Sequence, residues 1–229
     1  FDGIKDFMSW PRAIISDSGG FQIMSLARKT DDKAVTNKGV KFIDYQPDGN
    51  KQEILFTPEI SIQSQLRLKT DLLVVLDDFT PRDASYEKAQ ETVERTILWA
   101  QRSKAEFEKL TTQMKKQNKP YLIGVVQGGK YQDLRKKCAQ ELIKIGFDGL
   151  GFGGWPVKNN GEFDYESAQT IANQAPDNYL LYGLGIGKPE DIVGCVKLGF
   201  NIFDCVLPTR DARHGRVYVF SAETDEKID

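Results

Sequence analysis

"NIFDCVLPTR", residues 201–210, is the stretch on which the fold turns. Ile202, Phe203, Cys205, Val206 and Leu207 read as a short buried strand, yet Asp204 stands among them. An unpaired carboxylate inside apolar structure is costly, so Asp204 either has a partner or faces a site that needs it. Upstream, the same design recurs. "AIISD" (13–17), "DLLVVLDD" (71–78), "YLIGVVQ" (121–127), "DGLGFGG" (148–154) and "NYLLYGLG" (178–185) are apolar runs. Each closes on an acid, an amide or a glycine: Asp17, Asp77 with Asp78, Gln127, Gly153 with Gly154, and Gly183 with Gly185.

Most of these runs lead into a helical pattern. After the second, Ala89, Val93, Ile97 and Ala100 fall on one helical face. "YQDLRKKCAQELIKIG" follows the third, a helix near 164–175 the fourth, and "KPEDIVGCVKLG" the fifth, with Pro189 suited to a first turn. Continuous apolar strands alternating with helices predict a parallel sheet covered by helices. An open doubly wound sheet and a closed β/α barrel both satisfy that pattern. The polar strand ends favour the barrel, because there they converge on one mouth. The expected fold class is therefore α/β, an irregular (β/α)8 TIM-type barrel. The chain reads as a fragment covering strands three to eight, with residues 1–229 as one catalytic domain. Asp48-Gly49 within "VKFIDYQPDGNKQEILF" predicts an inserted β-hairpin. "RVYVFS" (216–221) reads as a strand of a second, appended hairpin.

Bulk properties narrow the function classes. A formal charge of −2 gives no global attraction to nucleic acid, so any such contact needs a local basic patch. Cys138, Cys195 and Cys205 form no CxxC pair and read as free thiols in a reducing, cytoplasmic setting. With His214 the only histidine, a His-rich metal site is excluded, and no metal or cofactor is expected on this chain. No run is apolar enough to span a membrane. "GLGIGKPEDIV" imitates a dinucleotide fingerprint, but its spacing is GxGxG and it sits on the fifth visible strand.

The converging residues suit either sugar chemistry or a metal site. In "ISDSGGFQ", Asp17 or Ser18 serves either a ligand or a helix cap, and Phe21 offers a face for a flat base. Asp77 has the same ambiguity, and Gln127 carries both donors and an acceptor, which suits a heterocycle edge. Paired carboxylates such as Asp204 and Asp17 divide glycosidic work between nucleophile and proton carrier, or else hold Mg²⁺. Arg210, Arg213, His214 and Arg216 form a basic set suited to phosphate contacts or to a solvated turn.

Taken in order, "DSGGFQ" (17–22), "LDDFTP" (76–81), "VVQGG" (125–129), "GIGKPEDIV" (185–193) and "FDCVLPTRDARHG" (203–215) closely resemble the tRNA-guanine transglycosylases, in their bacterial and eukaryotic form. The resemblance covers nearly the whole chain and implies a pentosyltransferase of queuosine biosynthesis. By it, Asp204 is the nucleophile that displaces guanine from the anticodon wobble position of tRNA, and Asp17 the general acid/base. A 7-deazaguanine base then displaces Asp204. Ser18, Phe21, Asp77, Gln127, Gly153, Gly154, Leu184 and Gly185 are the implied base-binding residues, with Phe21 and Leu184 as the two faces of a sandwich. Lys188, Arg210 and Arg213 are the implied RNA contacts. The family carries a structural zinc on three Cys and one His, expected downstream of this chain, and forms homodimers. Relatives that act on DNA, or serve as non-catalytic partner subunits, are the alternative readings. The sequence departs from the family at "GGWPVKN" (153–159), where "GGLAVGE" or "GGLSGGE" is usual, at Phe79 in place of a small residue, and at Leu184 in place of Met. These departures bear on which base replaces guanine.

Overall fold

The computed structural model describes residues 1–28, 34–45 and 48–219. In chain order the elements are α1 (Ile4–Met8), β1 (Ile15–Ser16), α2 (Gly20–Arg28), β2 (Val35–Thr36), β3 (Gly39–Tyr45), β4 (Lys51–Phe56), α3 (Pro58–Leu68) and β5 (Leu72–Val74). There follow α4 (Tyr86–Thr111), a single 3₁₀ turn, β6 (Tyr121–Val126), α5 (Gln132–Ile145), β7 (Gly149–Phe152), α6 (Tyr165–Ala172), β8 (Leu180–Leu184), α7 (Pro189–Lys197), β9 (Ile202–Asp204) and α8 (Leu207–Arg213).

Six strands form one parallel sheet in the order β1-β5-β6-β7-β8-β9, so every strand lies beside its sequence neighbour within that sheet. A doubly wound sheet reverses direction once along this order, and here there is no reversal. Laid flat, such a sheet would separate β1 from β9 by about 24 Å. Instead, Asp17 and Asp204, which follow or end these two edge strands, line a single cavity. The sheet is therefore curled into a partial barrel, as the recurring polar strand ends predict.

Side-chain parity sorts the sheet into two faces. Leu73, Val75, Leu122, Val126, Leu150, Phe152 and Leu181 join the helices in the larger core. Leu72, Val74, Ile123, Val125 and Tyr182 fill the concave side with Ile15, Leu180, Leu184 and Ile202. Apolar on both faces, the strands read as continuous runs because both faces are largely covered, the concave one opening to solvent only toward the cavity. Ala89, Val93 and Ala100 of α4 enter the larger core, and Ile97 packs against it, as their spacing predicts.

The inserted hairpin exists as β3 and β4, antiparallel from Val40↔Phe56 to Tyr45↔Lys51, with a short β2 added on its edge. Its Asp48-Gly49 turn has Gly49 at positive φ, and Asp48 Oδ1 accepts the Asn50 N–H at 3.0 Å. The hairpin residues Gln46 and Pro47 lie outside the described residues. The strand expected at 216–221 is a correction. Residues 216–219 carry no strand, with Val217 and Val219 exposed, while Phe220 and Ser221 lie outside the described residues. No helix among the described residues is long and apolar enough to cross a membrane.

Candidate active site

The inward parity of each strand decides which residue reaches the cavity. From Ile15 the next inward position is Asp17; from Val125 it is Gln127; from Tyr182, Leu184; and from Ile202, Asp204. The result is a cavity of ≈ 630 Å³ lined by all of them and by Ser18, Phe21, Asp77, Gly153, Gly154, Gly185, Lys188 and Arg210. Arg213 is not on the lining; it is exposed one turn farther along α8.

The floor is polar and tightly coupled. Gln127 is wholly buried. Its Nε2 donates to Asp77 Oδ2 at 2.5 Å, and its Oε1 accepts the Thr80 N–H at 3.1 Å. This fixes the amide orientation and points Asp77 as an acceptor. Burial pushes the Asp77 carboxyl up to about 7, against the Gln127 hydrogen bond, and the nearby charges of Asp17 and Asp78 push it the same way. Beside it, Asp78 is buried and ion-paired to Arg95 of α4, which also holds Glu91. The adjacent acids thus have separate tasks: one faces inward to structure, the other outward to the cavity.

Asp17 and Asp204 approach the cavity from opposite edges of the sheet. Crowding by protein raises the Asp17 carboxyl above the usual carboxylate range, opposed by backbone N–H groups of Ser18 and Gly19, with a smaller upward push from Asp204. The cap of this turn is Ser18, whose Oγ accepts the Gly20 N–H at 3.2 Å. Asp204 Oδ1 accepts the Gly185 N–H at 3.2 Å. That bond also disposes of the glycine-rich imitation of a nucleotide motif. The Gly185 N–H serves Asp204, and at Gly187 a Cβ would fall 2.2 Å from Cys205 Cβ, so the glycine is there for packing.

Tyr182 is the site residue that sequence reasoning did not single out. It is buried on the inward face of β8, two positions before Leu184. Burial raises its phenol far above the ordinary value, and the nearby charge of Asp204 adds to the rise. The signal was available in the alternation of "NYLLYGLG". Asp191 of α7 also lines the cavity.

One wall is aromatic. Phe21, Phe79 and Trp155 meet edge-to-face, with centroids 4.9, 5.7 and 6.1 Å apart. The Arg82 guanidinium lies 4.8 Å over the Trp155 ring. Asn159 Nδ2 donates to Asp83 Oδ1 at 3.0 Å, which ties the loop after β7 to the loop after β5 a second time. Of the unusual residues of "GGWPVKN", Trp155 thus has partners in this wall and Asn159 one beside it, and the unusual Phe79 belongs to the wall as well.

The cysteines do not converge. Cys138 lies in α5, Cys195 in α7 and Cys205 beyond β9, and burial pushes the first two thiols up to about 12 and about 11. No group of three or more His, Cys, Asp or Glu side chains among the described residues is placed to hold a metal ion, so these residues do not fit a zinc site.

The family description that fits the chain, over residues 1–228, is queuine tRNA-ribosyltransferase. The chain belongs to the queuine tRNA-ribosyltransferase family. A protein of that name from Pasteurella multocida (strain Pm70) is 39% identical over 216 residues, which is 94% of this chain and 53% of the relative. One from Dechloromonas aromatica (strain RCB) is 41% identical over 229 residues, 99% of this chain and 58% of the relative. The chain spans little more than half the length of the curated queuine tRNA-ribosyltransferases it matches.

Proposed function

We propose that this chain carries the catalytic centre of a tRNA-guanine transglycosylase, which exchanges guanine in the anticodon loop of tRNA for a 7-deazaguanine base. The observation that carries the reading is the meeting of Asp17 and Asp204, from opposite edges of the sheet, above the Asp77–Gln127 floor.

In the proposed reaction, Asp204 attacks the ribose C1′. A C1′–O bond forms as the C1′–N9 bond breaks, and the bonding pair leaves on guanine N9. Asp17, whose raised carboxyl can hold a proton, supplies it to the departing base. The incoming base then returns a proton to Asp17 from its own N9–H, attacks C1′ and releases Asp204 as carboxylate. One C–N bond is exchanged for another, so no nucleotide hydrolysis is required. The Gly185 N–H holds one oxygen of Asp204, which leaves the other free for the sugar.

The floor supports purine recognition. An ionised Asp77 accepts the N1–H and exocyclic N–H of guanine, and Gln127 with the Gly154 backbone faces the carbonyl edge. Leu184 and Phe21 are the two faces between which the base would lie. Lys188 and Arg210 at the mouth, with Arg213 beyond them, suit the phosphates flanking a flipped nucleotide. Within the aromatic wall, Arg82 is the charged neighbour, which favours an incoming base whose 7-substituent is uncharged there.

The test is a covalent adduct. Full-length protein incubated with anticodon stem-loop RNA should give an RNA–protein band on a denaturing gel, and Asp204→Ala should remove it. An adduct of undiminished yield in that variant would overturn the nucleophile assignment.

A further inference from the structure

We propose that Arg135 is a positioning residue for base recognition, holding the Gln127 turn and the Gly153–Gly154 peptide from beneath the cavity floor. The inference rests on the transglycosylase reading, since it assigns this pair of turns to the purine.

Arg135 of α5 is 1% exposed, and among the described residues it has no salt bridge to any carboxylate. Its partners are backbone carbonyls. Nε donates to Gly129 O at 2.7 Å, and Nη1 donates to Gly153 O at 3.1 Å and to Val126 O at 3.3 Å. Its guanidinium also lies 4.8 Å from the Phe152 ring centroid. These acceptors bracket both recognition elements: Val126 and Gly129 lie on either side of Gln127, and Gly153 carries the peptide into Gly154. The packing is close. A Cβ at Gly128 would fall 2.7 Å from Arg135 Cγ, and one at Gly154 would fall 3.5 Å from Gln127 Oε1 and 3.7 Å from Arg135 Nη2.

A buried cation hydrogen-bonded to carbonyls, with Asp164 acting on it only from beyond ion-pair distance, is a poor way to fill a core. Whole buried ion pairs are commonly replaced by apolar side chains of similar volume at no cost, so a buried charge is weak evidence of a purely stabilising role. Burial lowers Arg135 to about 10, so it remains a cation at neutral pH. Two consequences favour a role in recognition. The rigid fork fixes three carbonyls at once, which an aliphatic chain does not. Donation to Gly153 O also polarises the peptide whose N–H belongs to Gly154, making that N–H a stronger donor to a purine oxygen. When guanine departs, its electron-rich carbonyl edge faces this donor, with the guanidinium behind it.

The experiment uses the full-length enzyme with Arg135→Met and Arg135→Lys. Guanine Kd by calorimetry, guanine KM and kcat in tRNA exchange, tRNA affinity and melting temperature are measured for each. The expected result for Arg135→Met is a folded protein with a lowered melting temperature, since buried carbonyls lose their donor, and a guanine Kd and KM raised about tenfold or more, as for loss of a charge-assisted contact. tRNA affinity should be unchanged, and Arg135→Lys should fall between. A folded Arg135→Met with parental guanine Kd and KM would overturn the proposal. If the Met variant does not fold, the Lys variant decides: a parental guanine Kd overturns the proposal and a raised one supports it. If the parent binds guanine but exchanges none into tRNA, the functional reading fails, while guanine Kd still tests Arg135.

Discussion

The Gln127 amide donates to Asp77 Oδ2 at 2.5 Å, and this bond joins the ends of two neighbouring strands across the cavity floor. Because Gln127 Oε1 is already occupied by the Thr80 N–H, the amide is not free to flip when Asp77 changes charge. The floor therefore titrates through Asp77 alone.

With the Asp77 carboxyl at about 7, its proton is lost near neutrality. On the proposed reading the ionised form accepts from guanine, so KM for guanine should fall as pH rises from about 6 to 8. Asp77→Asn should raise KM by about ten- to a hundredfold and abolish this pH dependence. Stability moves the opposite way. Between the usual carboxylate range and about 7 the folded state binds the extra proton, so this contribution is present at low pH and is lost as pH rises through that window. Urea midpoints of Asp77→Asn should therefore improve relative to the parent at pH 8 more than at pH 5. A parent and variant that shift in parallel would refute the assignment.

Tyr182→Phe keeps the ring and removes the hydroxyl that lies beside Asp204. Single-turnover adduct formation should slow by roughly tenfold or more, the scale of one hydrogen bond to a charged group. RNA affinity and melting temperature should stay near parental values. Rapid-quench gels give the rate directly, and an unchanged rate would remove Tyr182 from the site.

Trp155 meets Phe21 and Phe79 on one side and Arg82 on the other. Trp155→Leu should change the choice of incoming base more than the use of guanine. Relative kcat/KM for 7-aminomethyl-7-deazaguanine over guanine should rise by about tenfold, within the range that pocket size alone supplies. Competition between the two bases, read by mass spectrometry of the tRNA, checks this. An unaltered ratio would show that the wall does not sort substituents.

Arg95 neutralises Asp78, a carboxylate with no exposed surface. Arg95→Met should cost about 3–5 kcal/mol by leaving a buried charge without its main partner. Denaturant unfolding measures it, and a loss below about 1 kcal/mol would place the pair with surface ion pairs.

Much of this was legible because strands buried on both faces announce themselves as apolar runs, and a polar residue ending each run is conspicuous. Asp17, Gln127 and Asp204 stand out in this way. Tyr182 does not, because an aromatic inside an apolar run looks like core until the strand's parity is known. Arg135 is hidden for a related reason: on a charged helix, "DLRKK", nothing in the sequence says which cation points inward. The "RVYVFS" expectation failed at 216–219 because β-branched and aromatic residues favour strands only where a partner edge exists. α3 carried a start signal in Thr57-Pro58-Glu59, and Thr57 does accept the Ile60 N–H. Its buried face includes Ser61 and Gln65, polar residues that conceal the helical period.

The two carboxylates of the site belong to the outermost strands of an unreversed sheet. Between them lie five strand pairings in series, and none of these touches both acids. A small change of twist at any one of them adds to the others, so the gap between Asp17 and Asp204 is the accumulated bend of the whole sheet. Core substitutions far from the cavity, at Leu73 or Leu150 for example, therefore act as a dial on the reach between the two acids.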